Sequence, residues 1–147
     1  MTDPRFTWDR SRYSARYLST DISESMLQGA ILRALAQAGI AAFAFDSGGK
    51  AMRPRAGAGG ASAGAAGLPD IIGWLPGGKA LFIEVKRPAL LEPRGYFQAQ
   101  GKPQRVIKPA GKLTDSQRMF LTIASADGCA AGVAWSLSDA LEIAEVR

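Results

Sequence analysis

Asp70, Glu84 and Lys86 are the residues whose types and spacing point to chemistry. Glu84 and Lys86 stand two apart in the run Leu81-Phe82-Ile83-Glu84-Val85-Lys86, so on a strand both project from one face while Ile83 and Val85 project from the other. Charge inside so apolar a run is costly to bury unless it is paired or bound to a cation. A strand end that has already reached solvent is the other explanation for either residue alone. Asp70 sits at the near end of the preceding apolar segment, and its relation to Glu84 depends on the turn between them. If Leu75 faces Lys79 across a three-residue turn, Asp70 faces Glu84 and both carboxylates share one side of the sheet. A two-residue turn sets Asp70 opposite Val85 instead, on the Leu81, Ile83 and Val85 side. Two facing carboxylates repel unless a cation joins them, and Mg²⁺ takes carboxylate oxygens while keeping several waters. A cation held in that way polarises a phosphate and lowers the pKa of a bound water. A neighbouring lysine can orient that water or offset charge developing in the transition state.

Composition narrows the alternatives. The chain has 147 residues, is 47% hydrophobic and contains no histidine and a single cysteine. That length suits one domain with one core. Without imidazole, serine-histidine triads, histidine-metal nucleases and zinc fingers are excluded, and Cys129 reads as a small core residue. No run approaches the ~18 apolar residues of a membrane span, and the N-terminal residues lack the apolar core of a secretory signal, so the expectation is a cytoplasmic protein. The net charge of +5 and pI of 9.7 favour a polyanionic partner. Between residues 86 and 118 stand Lys86, Arg87, Arg94, Lys102, Arg105, Lys108, Lys112 and Arg118, against Glu92 and Asp115 alone. Arg87, Arg94, Lys102, Arg105, Lys108 and Lys112 are therefore the candidate phosphate contacts. Charge alone does not separate that surface from a solvated loop.

The elements that must position these residues follow from periodicity. Residues 1–20 mix arginines with Phe6, Trp8, Tyr13 and Tyr17 without a period and read as an arm. Thr20 to Ala38 carries an apolar stripe at three-and-four spacing and predicts a helix ended by Gly39. Ile40 to Phe45 predicts a buried strand. Residues 56–67 are all Gly, Ala or Ser and predict a mobile loop. That loop lacks the strand-before, helix-after setting of a dinucleotide fingerprint, so no small-molecule cofactor is expected. Ile71–Leu75 and Ala80–Lys86 predict a hairpin. Residues 87–111, rich in Pro and Gly, read as an insertion. Thr114 to Asp127 predicts a second helix, Ala130 to Trp135 a strand, and Ser136 the cap of a last helix running to Glu145.

The runs GLPDIIGWLPGGKALFIEVK, GKLTDSQRMFL and GCAAGVAWSLSDAL, with ESMLQGAILRALAQAG upstream, resemble the virus-type replication-repair nuclease domain (VRR-NUC) of the PD-(D/E)XK superfamily. The resemblance covers most of the chain after Asp21. It implies an α/β fold with a restriction-endonuclease-like PD-(D/E)XK core, in which a mixed central sheet of about four strands is flanked by helices in the order αβββαβα. The domain would span residues 21–147. It further implies a Mg²⁺-dependent DNA endonuclease, with Mn²⁺ able to substitute, acting as a homodimer on Holliday junctions or other branched DNA. A flap or non-specific nuclease, or an inactive DNA-binding module of the same fold, is the alternative. The resemblance assigns Asp70, Glu84 and Lys86 to the catalytic motif, places the metal at Asp70, Glu84 and Val85, and adds Glu24 and Gln117. Asp21-Ile22-Ser23-Glu24 and Thr114-Asp115-Ser116-Gln117 both also fit the helix capping box, so either residue has a purely local explanation. The length of 87–111 departs from compact members of that family.

Overall fold

The computed structural model describes residues 17–18, 21–45, 67–92 and 105–147. The arm before Tyr17, most of the Gly/Ala loop at 56–67, and Arg94 and Lys102 lie outside the described residues. The elements, in chain order, are β1 (Tyr17–Leu18), α1 (Glu24–Gln37), β2 (Ala41–Ala44), β3 (Ile71–Trp74), β4 (Ala80–Val85), β5 (Ala89–Leu91), β6 (Val106–Lys108), α2 (Asp115–Ala126), β7 (Ala130–Ala134) and α3 (Leu137–Ile143). The fold is α/β. Its main sheet has the order β2-β3-β4-β7, antiparallel at the first two pairings and parallel between β4 and β7.

Helix α1 begins later than its apolar stripe suggests. Ser23, not Asp21, is the N-cap, with its hydroxyl accepting from the Met26 N–H at 3.2 Å. Glu24 is thus the first helical residue and closes no capping box, while Asp21 pairs with Lys108 at 2.7 Å. That bond, and the Lys108 charge, hold the Asp21 carboxyl below its ordinary range. Leu27, Ile31 and Leu35 form the buried face of α1, each worth about 1.5–3 kcal/mol when fully removed from water. Gly39 follows the helix at positive φ, and Ile40 N–H returns to the Leu35 carbonyl.

The segment 87–111 is not wholly irregular. Leu90 pairs with Lys108 and Leu91 with Val106 in antiparallel register, and Tyr17–Leu18 joins in parallel beside Ala89 and Leu90. A second sheet of order β1-β5-β6 results, tying the end of the expected arm to the base of the insertion. Cys129 is half-buried rather than a core residue. Among the described residues no helix is long and apolar enough to cross a membrane.

The β3–β4 connection sets which side chains share a face. Gly77 and Gly78 both sit at φ +96°, Gly78 N–H bonds the Leu75 carbonyl at 2.9 Å, and Leu75 N–H bonds the Lys79 carbonyl at 2.8 Å. This is a three-residue turn, and it pairs Trp74 with Ala80 and Ile71 with Ile83. Leu81, Ile83 and Val85 are fully buried on one face, while Phe82 and Glu84 lie on the other with Ile72 and Trp74 of β3. Helix α2 lies over the second face, where Phe120 meets Phe82 edge-on with ring centroids 5.1 Å apart. Helices α1 and α3 pack on each other against the first. A Cβ at positive φ costs about 1–2 kcal/mol. Gly77→Ala and Gly78→Ala are each expected to lower unfolding free energy by about that much in a denaturant titration.

Candidate active site

With Ile71 opposite Ile83, the residue before β3 falls opposite Glu84, and that residue is Asp70. Its main chain and side chain are both committed. The Asp70 carbonyl accepts from Phe45 N–H at 2.6 Å, and Oδ2 accepts from Val85 N–H at 2.8 Å. The side chain thus takes the place of the next rung of the ladder and fixes itself at the edge of β4. Lys86 N–H bonds the Ala134 carbonyl on the β7 side, so strand alternation turns the Val85 carbonyl, like its N–H, toward Asp70.

Glu84 is 2% exposed and Lys86 9%. Glu84 Oε1 accepts from Gln117 Nε2 at 2.7 Å and pairs with Lys86 Nζ at 3.2 Å. Glu84 Oε2 is buried and has no hydrogen-bond partner among the described residues. Burial first, and then the facing Asp70 carboxyl, push the Glu84 pKa up to about 8, against the opposing pull of Lys86. Without a cation, the protonated form of the Glu84 carboxyl is therefore favoured near neutral pH.

Gln117 both caps α2 and reaches Glu84. Its Oε1 accepts from Thr114 N–H at 2.9 Å and the Thr114 hydroxyl accepts from Gln117 N–H at 3.2 Å, completing the capping box at the start of α2. An amide has one acceptor end and one donor end. With Oε1 turned to the cap, Nε2 faces Glu84, so the cap orients the donor. Glutamate at this position would still cap the helix but would set a second anion against Glu84. Glu24, by contrast, lies exposed on the first turn of α1, with no hydrogen bond or ion pair to Asp70, Glu84, Lys86 or Gln117 among the described residues.

Two residues that sequence reasoning did not single out, Gly111 and Trp135, are bonded together beside Lys86. Gly111 N–H bonds the Arg87 carbonyl at 2.8 Å, and a Cβ on Gly111 would lie 3.3 Å from Lys86 Cβ, a contact tight enough to displace it. The Gly111 carbonyl in turn accepts from Trp135 Nε1 at 2.8 Å, and Trp135 is buried. The strap at 109–111 is fastened a second time by Arg87, whose guanidinium donates to the Pro109 carbonyl at 2.6 Å. Of the candidate phosphate contacts, Arg105, Lys108 and Lys112 are exposed, Lys108 while paired with Asp21, and Arg87 is half-buried against Pro109.

No family model matches the chain, and neither a search of curated proteins nor one of solved structures finds a match.

The donor set fits a hard divalent cation. Asp70 and Glu84 offer carboxylate oxygens, one of them buried and unpartnered, and the Val85 carbonyl is turned to the same edge. Among the described residues no third His, Cys, Asp or Glu joins them, so water and substrate oxygens would have to complete the shell of any ion held there. The raised Glu84 pKa has a consequence for stability. A carboxyl whose folded pKa lies above its unfolded value contributes stability that is complete below about pH 4.5 and is lost as pH rises through about 8. Glu84→Gln removes that loss. In EDTA, the variant is expected to gain thermal stability relative to the parent as pH is raised from about 5 to 9, measured by calorimetric melting at each pH.

Proposed function

We propose that this chain is a Mg²⁺-dependent DNA endonuclease of the VRR-NUC type, with a PD-(D/E)XK site at Asp70, Glu84 and Lys86. The observation that carries the reading is the buried, unpartnered Glu84 oxygen facing Asp70, with Lys86 and Gln117 on the other Glu84 oxygen. Asp70, Glu84 and the Val85 carbonyl would hold the metal. When bound there, Mg²⁺ would polarise the scissile phosphate and acidify a water. The chain's own residues do the rest. Gln117 holds the Glu84 carboxylate in one orientation. Lys86 supplies a nearly buried positive charge beside it, able to orient the attacking water or offset charge on the phosphate oxygens. Arg105 and Lys112 offer exposed positive charge for backbone contacts that position a duplex without reading its sequence. Branched DNA is the proposed substrate and a homodimer the proposed form, since a junction presents two strands and one chain carries one site.

The test is cleavage of labelled linear, flap, fork and four-way DNA with Mg²⁺, Mn²⁺ or EDTA. Asp70→Ala and Glu84→Ala are each expected to abolish cleavage while DNA binding survives, and full activity in either variant places the chemistry elsewhere. Lys86→Ala is expected to slow cleavage by about 10²–10³.

Trp135 acts at one remove, as a positioning residue. Trp135→Phe keeps an aromatic side chain, at the cost of some buried volume, and deletes the hydrogen bond to Gly111, so kcat is expected to fall several-fold with KM unchanged. A parallel change in both would mean that the strap shapes substrate binding instead.

A further inference from the structure

The face of the sheet that carries Glu84 continues past the carboxylates to an exposed aromatic pair. Phe43 on edge strand β2 and Trp74 at the end of β3 are 58% and 52% exposed, and their ring centroids lie 5.7 Å apart at a tilt of 39°. The registers place them on the same face as the site: Phe43 pairs with Ile72, Ile72 with Phe82, and Trp74 with Ala80, while Glu84 is two residues beyond Phe82. Standard strand spacing and rise put Phe43 and Trp74 about 12–14 Å from Glu84. Helix α2, which covers Phe82 through Phe120, leaves this end of the face open.

We propose that Phe43 and Trp74 form a stacking platform for a nucleobase of an unpaired strand, next to the site at which the backbone is cut. Resting on the nuclease reading for the identity of that neighbouring site, the inference adds the substrate feature that would be recognised. A base within a duplex has both faces covered by its neighbours, so a side-chain ring on an open sheet face can stack only on a base that has left the helix. The separation from Glu84 matches about four nucleotides of a stacked strand, and fewer of an extended one. A protein partner is the poorer occupant by area. Two aromatic side chains present at most about 150–250 Å² each, and the flanking positions on β2 are alanines. A stable interface needs about 800 Å² from each partner.

The experiment measures binding in EDTA, apart from cleavage, using oligothymidylate and a blunt duplex of equal length. Phe43→Thr with Trp74→Thr keeps strand-compatible residues and is expected to weaken oligothymidylate binding at least about tenfold, the cost of one lost stack, with duplex affinity within twofold. Trp74→Phe provides a second readout that does not depend on the double variant folding. Oligothymidylate is expected to quench the tryptophan emission of the parent and to leave that of Trp74→Phe largely unchanged. Equal loss on both DNAs, no loss on either, or equal quenching in parent and variant overturns the proposal. So does conversion of a dimeric parent to a monomeric double variant in light scattering, which would make the pair a protein interface. The two readings fail separately. Quenching without Mg²⁺-dependent cleavage of any DNA defeats the nuclease reading alone, whereas cleavage that is indifferent to the double substitution defeats the platform alone.

Discussion

The arrangement depends on the register of one hairpin. Because side chains alternate across a sheet, shifting β3 against β4 by a single residue would carry Asp70 to the face of Leu81, Ile83 and Val85. The three-residue turn at Pro76-Gly77-Gly78 prevents that slip, supported by the apolar pattern of β4, whose buried Ile83 faces buried Ile71. Once the register is set, the hydrogen bond from Val85 N–H to Asp70 replaces a ladder rung with a side chain, and the sheet ends at its carboxylates. The chemistry of the site is thus a property of the strand ends. Helix α2 then closes the far side by delivering Gln117 to Glu84 and Phe120 to Phe82.

Burial and charge are opposed at Glu84. A carboxyl removed from water beside a second carboxyl is destabilised in its charged form, and one lysine does not cancel both effects. Gln117 is the economical answer to part of this conflict: its donor end satisfies one Glu84 oxygen while its acceptor end stabilises the helix that carries it. The other oxygen is buried with no partner among the described residues. A buried carboxylate oxygen without a protein partner is uncommon in an ion-pair network that serves stability alone.

Much of this was legible in the residues, because local signals governed it. The hairpin, the alternation of LFIEVK and the Thr114-to-Gln117 cap are short-range patterns, and the choice between turn lengths was the one open point deciding where Asp70 faced. The Asp21-to-Glu24 cap failed because Ser23 offered a competing cap two residues on, so the same pattern that correctly marked α2 misplaced the start of α1. The second sheet could not be read, since pairing of Tyr17–Leu18 with Ala89–Leu90 joins residues some seventy positions apart with no periodic signature. Trp135 and Gly111 escaped notice for a similar reason. A tryptophan at a strand end and a glycine in a proline-rich stretch look ordinary until the fold brings the indole N–H to the glycine carbonyl.

The central claim is that the two facing carboxyls form a cation site, and calorimetric titration of Mn²⁺ into the protein near pH 7 tests it most directly. Repeating the titration in buffers of different ionisation heat counts the protons released. Binding is expected to displace the proton held by Glu84, so proton release should accompany one bound ion, and both should vanish in Glu84→Gln. Absence of binding by the parent protein, or binding that persists unchanged in Glu84→Gln, would contradict the claim.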